Sequence, residues 1–205
     1  MRRKIYNWCL LVFIIFFVLI TISPLKVQST TDTVQVSKAS NDISKKTEFN
    51  LNSTSFNAGD TIPTKYVCTR IPGGENISIP LQWSGAPPET KSYAILIYDL
   101  NPVAKNFIHW AVINIPSNVT KFNEGASLTP NMPNGTIELK NTSGNIGYAG
   151  PCPPKGTGKH EYKTIVYALN VENINLSGSI SLSKFQSAIK DNIISQAELS
   201  GYFEQ

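Results

Sequence analysis

Gly147-Tyr148-Ala149-Gly150-Pro151-Cys152-Pro153-Pro154-Lys155-Gly156-Thr157-Gly158-Lys159-His160-Glu161-Tyr162 is the stretch from which the rest of the chain can be read. It places prolines and glycines, which strand and helix interiors tolerate poorly, directly before Tyr162 to Leu169, a run rich in aromatic and β-branched residues. A Pro- and Gly-rich turn followed by such a run predicts a buried strand entered from a loop. Side chains alternate along a strand, so His160 and Tyr162 share one face. The turn therefore delivers an imidazole and a phenol beside a glycine-rich loop.

Working outward, Ser92 to Tyr98 and Phe107 to Ile115 have the same character, and Ile79 to Trp83 and Gly135 to Leu139 are shorter versions of it. Between them lie breakers such as Ala86-Pro87-Pro88, so the core is expected to be mainly β, with strands joined by loops. Towards the end the period changes. Leu182, Phe185, Ala188, Ile189 and Ile193 are spaced for one helical face, Ser181 or Ser183 is suited to cap its start, and Gly201 follows the last apolar pair. One or two helices are expected to pack on the sheet from this end.

The histidines are His109 and His160. Asp99 ends one predicted strand and His109 lies in the next, with only the short connection Leu100 to Asn106 between them. Strands joined so closely are usually antiparallel neighbours, which brings Asp99 and His109 to one end of the sheet. Asp99, His109, His160 and Tyr162 then form a cluster suited to a small anion. Convergent donors would come from the histidines, the Tyr162 hydroxyl and backbone N–H groups around Cys152. Asp99, an acceptor when ionised, is expected to accept from His109 and to fix its tautomer or hold it protonated.

The chain has 205 residues, 41% apolar and 16% charged, an ordinary globular composition that excludes collagen-like, coiled-coil and wholly disordered classes. Its formal charge of +4 is concentrated at the front: Arg2, Arg3, Lys4 and Lys26 precede Ser29 with no acid among them, and the remaining 14 basic residues balance 14 acidic ones. No Lys/Arg stripe is left to track a phosphate backbone, so nucleic acid is excluded as a partner.

Arg2-Arg3-Lys4 stands before an apolar run from Trp8 to Ile20, the pattern of an export signal. Residues 1–29 are read as a signal peptide or an N-terminal membrane anchor; the weak cleavage match at Val27-Gln28-Ser29 leaves both open. Residues 30–46 are polar, lack either periodicity and are expected to be a flexible spacer, leaving 47–205 as one domain. The chain is therefore expected to be exported, either secreted or anchored at the cell surface, touching membrane only through its first segment. Six sequons, headed by Asn52, Asn76, Asn118, Asn134, Asn141 and Asn175, agree weakly with that location. Beyond Cys9, Cys68 and Cys152 make an even number, read as a disulfide in an oxidising compartment, with two separate buried thiols as the alternative.

Asp99-Leu100-Asn101-Pro102, Phe107-Ile108-His109-Trp110 and above all the opening stretch resemble the phosphatidylethanolamine-binding protein (PEBP) family, which includes the Raf kinase inhibitor protein, and most closely its bacterial and archaeal branch. Ile62 to Cys68, Asn76 to Gly85 and Ala197 to Tyr202 add to the likeness, which runs in the family's order from about Phe49 to the end. The resemblance implies a PEBP-like β-sandwich with a large central antiparallel-rich sheet, short connecting helices and a C-terminal helical element. It also implies a shallow pocket for phosphate-like anions or a phospholipid headgroup. The family's D-P-D-x-P motif falls on Asp99, Leu100, Asn101, Pro102 and Val103, its pocket histidines on His109 and His160, its tyrosine on Tyr162, and its Pro-Pro wall on Pro153-Pro154 beside Cys152. The second acid of the motif is Asn101 here and its terminal proline is displaced. Losing one negative charge should favour anions and leave less to hold a cationic ethanolamine group.

The expected function is thus a non-enzymatic module that holds a small anion or phosphorylated headgroup, with no cofactor and no metal. The alternative suggested by the family is an inhibitor or regulator of a protein partner, such as an exported protease. An enzyme fits less well. Neither Ser84 nor Ser143 sits in a G-x-S-x-G elbow, and the histidines lack the close spacing of local metal motifs.

Overall fold

The computed structural model describes residues 48–205; the expected leader at 1–29 and spacer at 30–46 lie outside the described residues. Two antiparallel sheets form the architecture. The smaller has the order β1-β2-β5, from β1 (Asn50–Asn52), β2 (Leu81–Ser84) and β5 (Lys121–Phe122). The larger has the order β6-β4-β3-β7-β8, from β3 (Ser92–Asp99), β4 (Ile108–Pro116), β6 (Ile137–Glu138), β7 (His160–Leu169) and β8 (Ile193–Phe203).

The central strand β3 is buried along its whole length, because both of its faces are apolar and both are covered. Tyr93, Ile95 and Ile97 pack with Leu51, Trp83 and Phe122 of the smaller sheet. Ala94, Leu96 and Tyr98 point the other way, into a second core with Phe185 and Ile189 of the single described α-helix, α1 (Leu182–Ile189). Period-2 alternation sorts each strand between two apolar layers, which explains why β3 and β7 read as near-continuous apolar runs.

The C-terminus corrects the sequence reading. Ser181 does cap α1, accepting from the Lys184 N–H at 3.2 Å, but the helix ends at Ile189 and passes through a single 3₁₀ turn, Lys190–Asn192. Ile193, expected on the helical face, instead opens β8, which pairs with β7 from Ile193 to Phe203. Ala197, Leu199, Gly201 and Phe203 alternate inward while Gln196 and Glu198 face out, a strand period that the apolar spacing before it had masked. Gly201 is therefore not a helix stop. A Cβ there would stand 2.7 Å from both the Phe56 and Ile62 side chains, so the glycine permits a close approach within the core.

Candidate functional site

β4 and β7 both run antiparallel to β3, so the start of β4, the end of β3 and the start of β7 meet at one edge of the larger sheet. Asp99, His109 and His160 occupy these three positions and are buried. His109 is placed there by a β-bulge. Ile97 pairs with Trp110 and Tyr98 with Ile108, which leaves His109 as the extra residue and redirects its side chain.

The loop from Ala149 completes the edge by clamping His109 from both sides. The Ala149 N–H donates to the His109 carbonyl at 2.8 Å, and the imidazole Nδ1 meets the Ala149 carbonyl at 2.6 Å. A carbonyl only accepts, so Nδ1 carries the proton. Burial pushes the His109 pKa down to about 4, against the opposing pull of the Ala149 carbonyl and of Asp99. The ring edge meets Tyr162 with centroids 5.1 Å apart.

Asp99 is committed elsewhere. Its Oδ2 accepts from His160 Nδ1 at 2.6 Å and its Oδ1 accepts from the Asn101 N–H at 2.8 Å. His160 Nε2 lies 2.9 Å from Thr157 Oγ1, and that hydroxyl donates to the Pro154 carbonyl at 2.7 Å. A hydrogen-bonded chain thus runs from the end of β3 through His160 into the glycine-rich turn.

A cavity of about 730 Å³ opens at this edge. Asp99, His109, His160, Pro153, Pro154 and Cys152 line it. The disulfide between Cys68 and Cys152, with Cα atoms 5.5 Å apart, forms part of the wall. Several further contacts hold its two loops together: the Cys68 N–H donates to the Pro151 carbonyl at 3.0 Å, the Gly150 N–H to Asn76 Oδ1 at 2.7 Å, and the Tyr148 hydroxyl to the Tyr66 carbonyl at 3.0 Å.

Four expectations are corrected by this geometry. Asp99 accepts from His160 rather than from His109, because the bulge and the Ala149 clamp turn the His109 Nδ1 away from it. His109 is not held protonated, since burial outweighs the nearby acid. Asn101 and Pro102 do not line the cavity: Asn101 Oδ1 accepts from the Val103 N–H at 3.0 Å and caps the 3₁₀ turn Pro102–Ala104. Tyr162 also stands behind the lining. Its ring supports both histidines, and its shielded hydroxyl, which lacks a hydrogen-bond partner among the described residues, is pushed above the usual phenol range by burial and then by Asp99.

The residue that the sequence reading missed is Arg70. Its guanidinium reaches Cys152 Sγ from Nε at 3.3 Å and Nη2 at 3.1 Å, is exposed to solvent at the cavity, and has no carboxylate partner among the described residues. The signal for it was indirect: pairing Cys68 with Cys152 carries the residues after Cys68 onto the wall. The lip is apolar, with Val103 57%, Leu128 65% and Ile146 51% exposed. Among the described residues no three His, Cys, Asp or Glu side chains are grouped to hold a metal ion.

The family model for phosphatidylethanolamine-binding protein matches residues 52–204. A UPF0098 protein of Methanothermobacter thermautotrophicus is 35% identical over 156 residues, covering 76% of this chain and 99% of the relative. UPF0098 protein YbcL of Escherichia coli is 33% identical over 160 residues, covering 76% of this chain and 87% of that one. The YbcL crystal structure, described as a new member of the mammalian PEBP family, has a TM-score of 0.71 over 77% of this chain and 99% of its own. A PEBP homologue from Chlamydia trachomatis, 34% identical, has a TM-score of 0.66 over 78% of this chain and 99% of its own. With the motifs in order on the matching architecture, the chain belongs to the phosphatidylethanolamine-binding protein family.

Proposed function

We propose that this protein is a non-catalytic binding module, exported or held at the cell surface by its N-terminal segment, that takes a small anion or phosphorylated ligand into the cavity at the β3–β4–β7 edge. One observation carries the reading: Arg70 places an exposed guanidinium, unpaired with any described carboxylate, on a concave wall made rigid by a disulfide. A guanidinium in that setting has no ion pair to break, and the N–H groups not turned to the sulfur can donate to an oxyanion. The non-catalytic part rests on the commitments of the polar groups below it. His160 has both ring nitrogens engaged by protein, and Asp99 is pinned by two hydrogen bonds. The test is a titration with inorganic phosphate and phosphoethanolamine. Saturable binding weakened about tenfold by Arg70→Gln supports the reading; absence of binding to the wild type overturns it.

The second reading, regulation of a protein partner such as an exported protease, is favoured by the apolar lip of Val103, Leu128 and Ile146. Exposed apolar side chains grouped around a cavity suit a contact surface.

A further inference from the structure

The floor of the cavity is built to accept hydrogen bonds. His109 Nδ1 spends its proton on the Ala149 carbonyl, so Nε2, with no protein partner among the described residues, presents a lone pair. The depressed pKa of His109 keeps that nitrogen bare at neutral pH. Asp99 only accepts when ionised, His160 has both nitrogens occupied, and the Tyr162 hydroxyl lies behind the lining. Of the groups that line the floor, none has a free proton for a ligand oxyanion, and the unspent proton of the Tyr162 hydroxyl is shielded behind the lining. The strong donor, Arg70, stands apart on the disulfide wall.

Resting on the binding function above, we propose that the ligand is bifunctional: an oxyanion held by Arg70, and a hydroxyl that donates to His109 Nε2. The chemical class is a hydroxylated phosphomonoester. A bare anion would leave the His109 lone pair unmet once water is displaced, at the usual cost of an unsatisfied buried acceptor. An ammonium end would bring a charge and three donors to a buried site where His109 offers one lone pair and the Asp99 oxygens already accept from His160 and the Asn101 N–H, and would lose more hydration than it recovers. A hydroxyl brings one donor, which matches.

The experiment uses the full chain in a non-ionic detergent and alkyl phosphates of two, three and four carbons, each ending in a methyl, a hydroxyl or an ammonium group, titrated at pH 7.5. The hydroxyl series is expected to bind roughly three- to tenfold more tightly than its methyl counterparts at the best length, the scale of one net hydrogen bond. Arg70→Gln weakens all three series, whereas His109→Phe removes the hydroxyl preference and leaves methyl-ended binding in place. Equal binding of hydroxyl and methyl ends at every length, a preference that survives His109→Phe, or an ammonium end that binds best overturns the proposal while leaving anion binding intact. No binding by any series overturns both. Should His109→Phe fold poorly, imidazole ¹⁵N shifts of the wild type decide: a bare Nε2 whose resonance moves on binding the hydroxyl series supports the proposal, and a protonated Nε2 in the free protein overturns it.

Discussion

Asp99 Oδ2 and His160 Nδ1 lie 2.6 Å apart with both side chains buried, and the contact ties the end of the central strand β3 to the start of β7. Removing one partner strands the other. Asp99→Ala leaves the His160 N–H without an acceptor in the interior, so a loss of about 3 kcal/mol in unfolding free energy is expected. Chemical denaturation measures it, and a loss under about 1 kcal/mol would show that the pair is dispensable.

His109 makes stability depend on pH with a defined sign. Its folded pKa, about 4, lies below the ordinary 6.5, so the unfolded chain binds more protons at this site between those values. Stability from this site is fully present above about pH 6.5 and is lost as pH falls towards 4, by up to about 3 kcal/mol. The surrounding groups are the Asp99 carboxylate, the His160 imidazole and the Tyr162 ring. Denaturation of the wild type and His109→Gln from pH 4 to 7.5 isolates the contribution. If the two curves keep a constant separation, His109 is not the titrating group.

Gly150 packs against the backbone of the facing cavity loop. A Cβ there would stand 2.4 Å from the Tyr66 carbonyl oxygen and 2.8 Å from the Cys68 amide nitrogen, both backbone atoms that cannot swing aside. Gly156, by contrast, has open space around it and a positive φ of 76°. Gly150→Ala is therefore expected to cost more than about 2 kcal/mol and to impair ligand binding, whereas Gly156→Ala costs about 1 kcal/mol and leaves binding unchanged. Thermal melts with parallel phosphate titrations compare them; equal effects would mean that the loops yield more readily than their contacts indicate.

The strands that bring the site together were legible in the sequence because β3, β4 and β7 are buried on both faces and bounded by Pro, Gly and Asn clusters. β8 was not, because the apolar spacing from Leu182 to Ile189 continues onto Ile193 and extends the helical period past its true end. At the site, the convergence of Asp99, His109 and His160 followed from strand order, while their hydrogen-bond partners did not. The bulge at His109 turns one side chain and thereby decides that Asp99 serves His160. Arg70 was hidden for a different reason: it carries no local pattern and reaches the cavity because Cys68, two residues before it, is joined to Cys152, 84 positions further along the chain.

That disulfide closes a long loop, and cross-links of this span typically contribute about 3 to 4 kcal/mol by restricting the unfolded chain. Here it also carries Arg70, so breaking it should act on stability and binding together. The variant Cys68→Ser/Cys152→Ser is expected to melt at lower temperature and to bind phosphate more weakly, approaching Arg70→Gln. Adding Arg70→Gln to that double variant should then cost little further affinity, because a guanidinium released from the wall no longer presents its donors in place. Full additivity of the two effects would instead mean that Arg70 finds its position without the bridge.

The lip separates the two functional readings. Val103, Leu128 and Ile146 are exposed side chains that line the cavity, and none belongs to either buried core. Replacing all three with Ser should change unfolding free energy by no more than about 1 kcal/mol, the scale of a few exposed substitutions. A small phosphate held by Arg70 does not need these side chains, so its affinity should stay within about twofold. A macromolecule seated over the mouth does need them, since buried apolar area at the centre of a contact supplies much of its energy. Titration of inorganic phosphate alongside inhibition assays against secreted proteases therefore gives opposite patterns: intact phosphate binding with lost inhibition assigns the lip to a protein partner, whereas weakened binding of inorganic phosphate assigns it to the cavity itself.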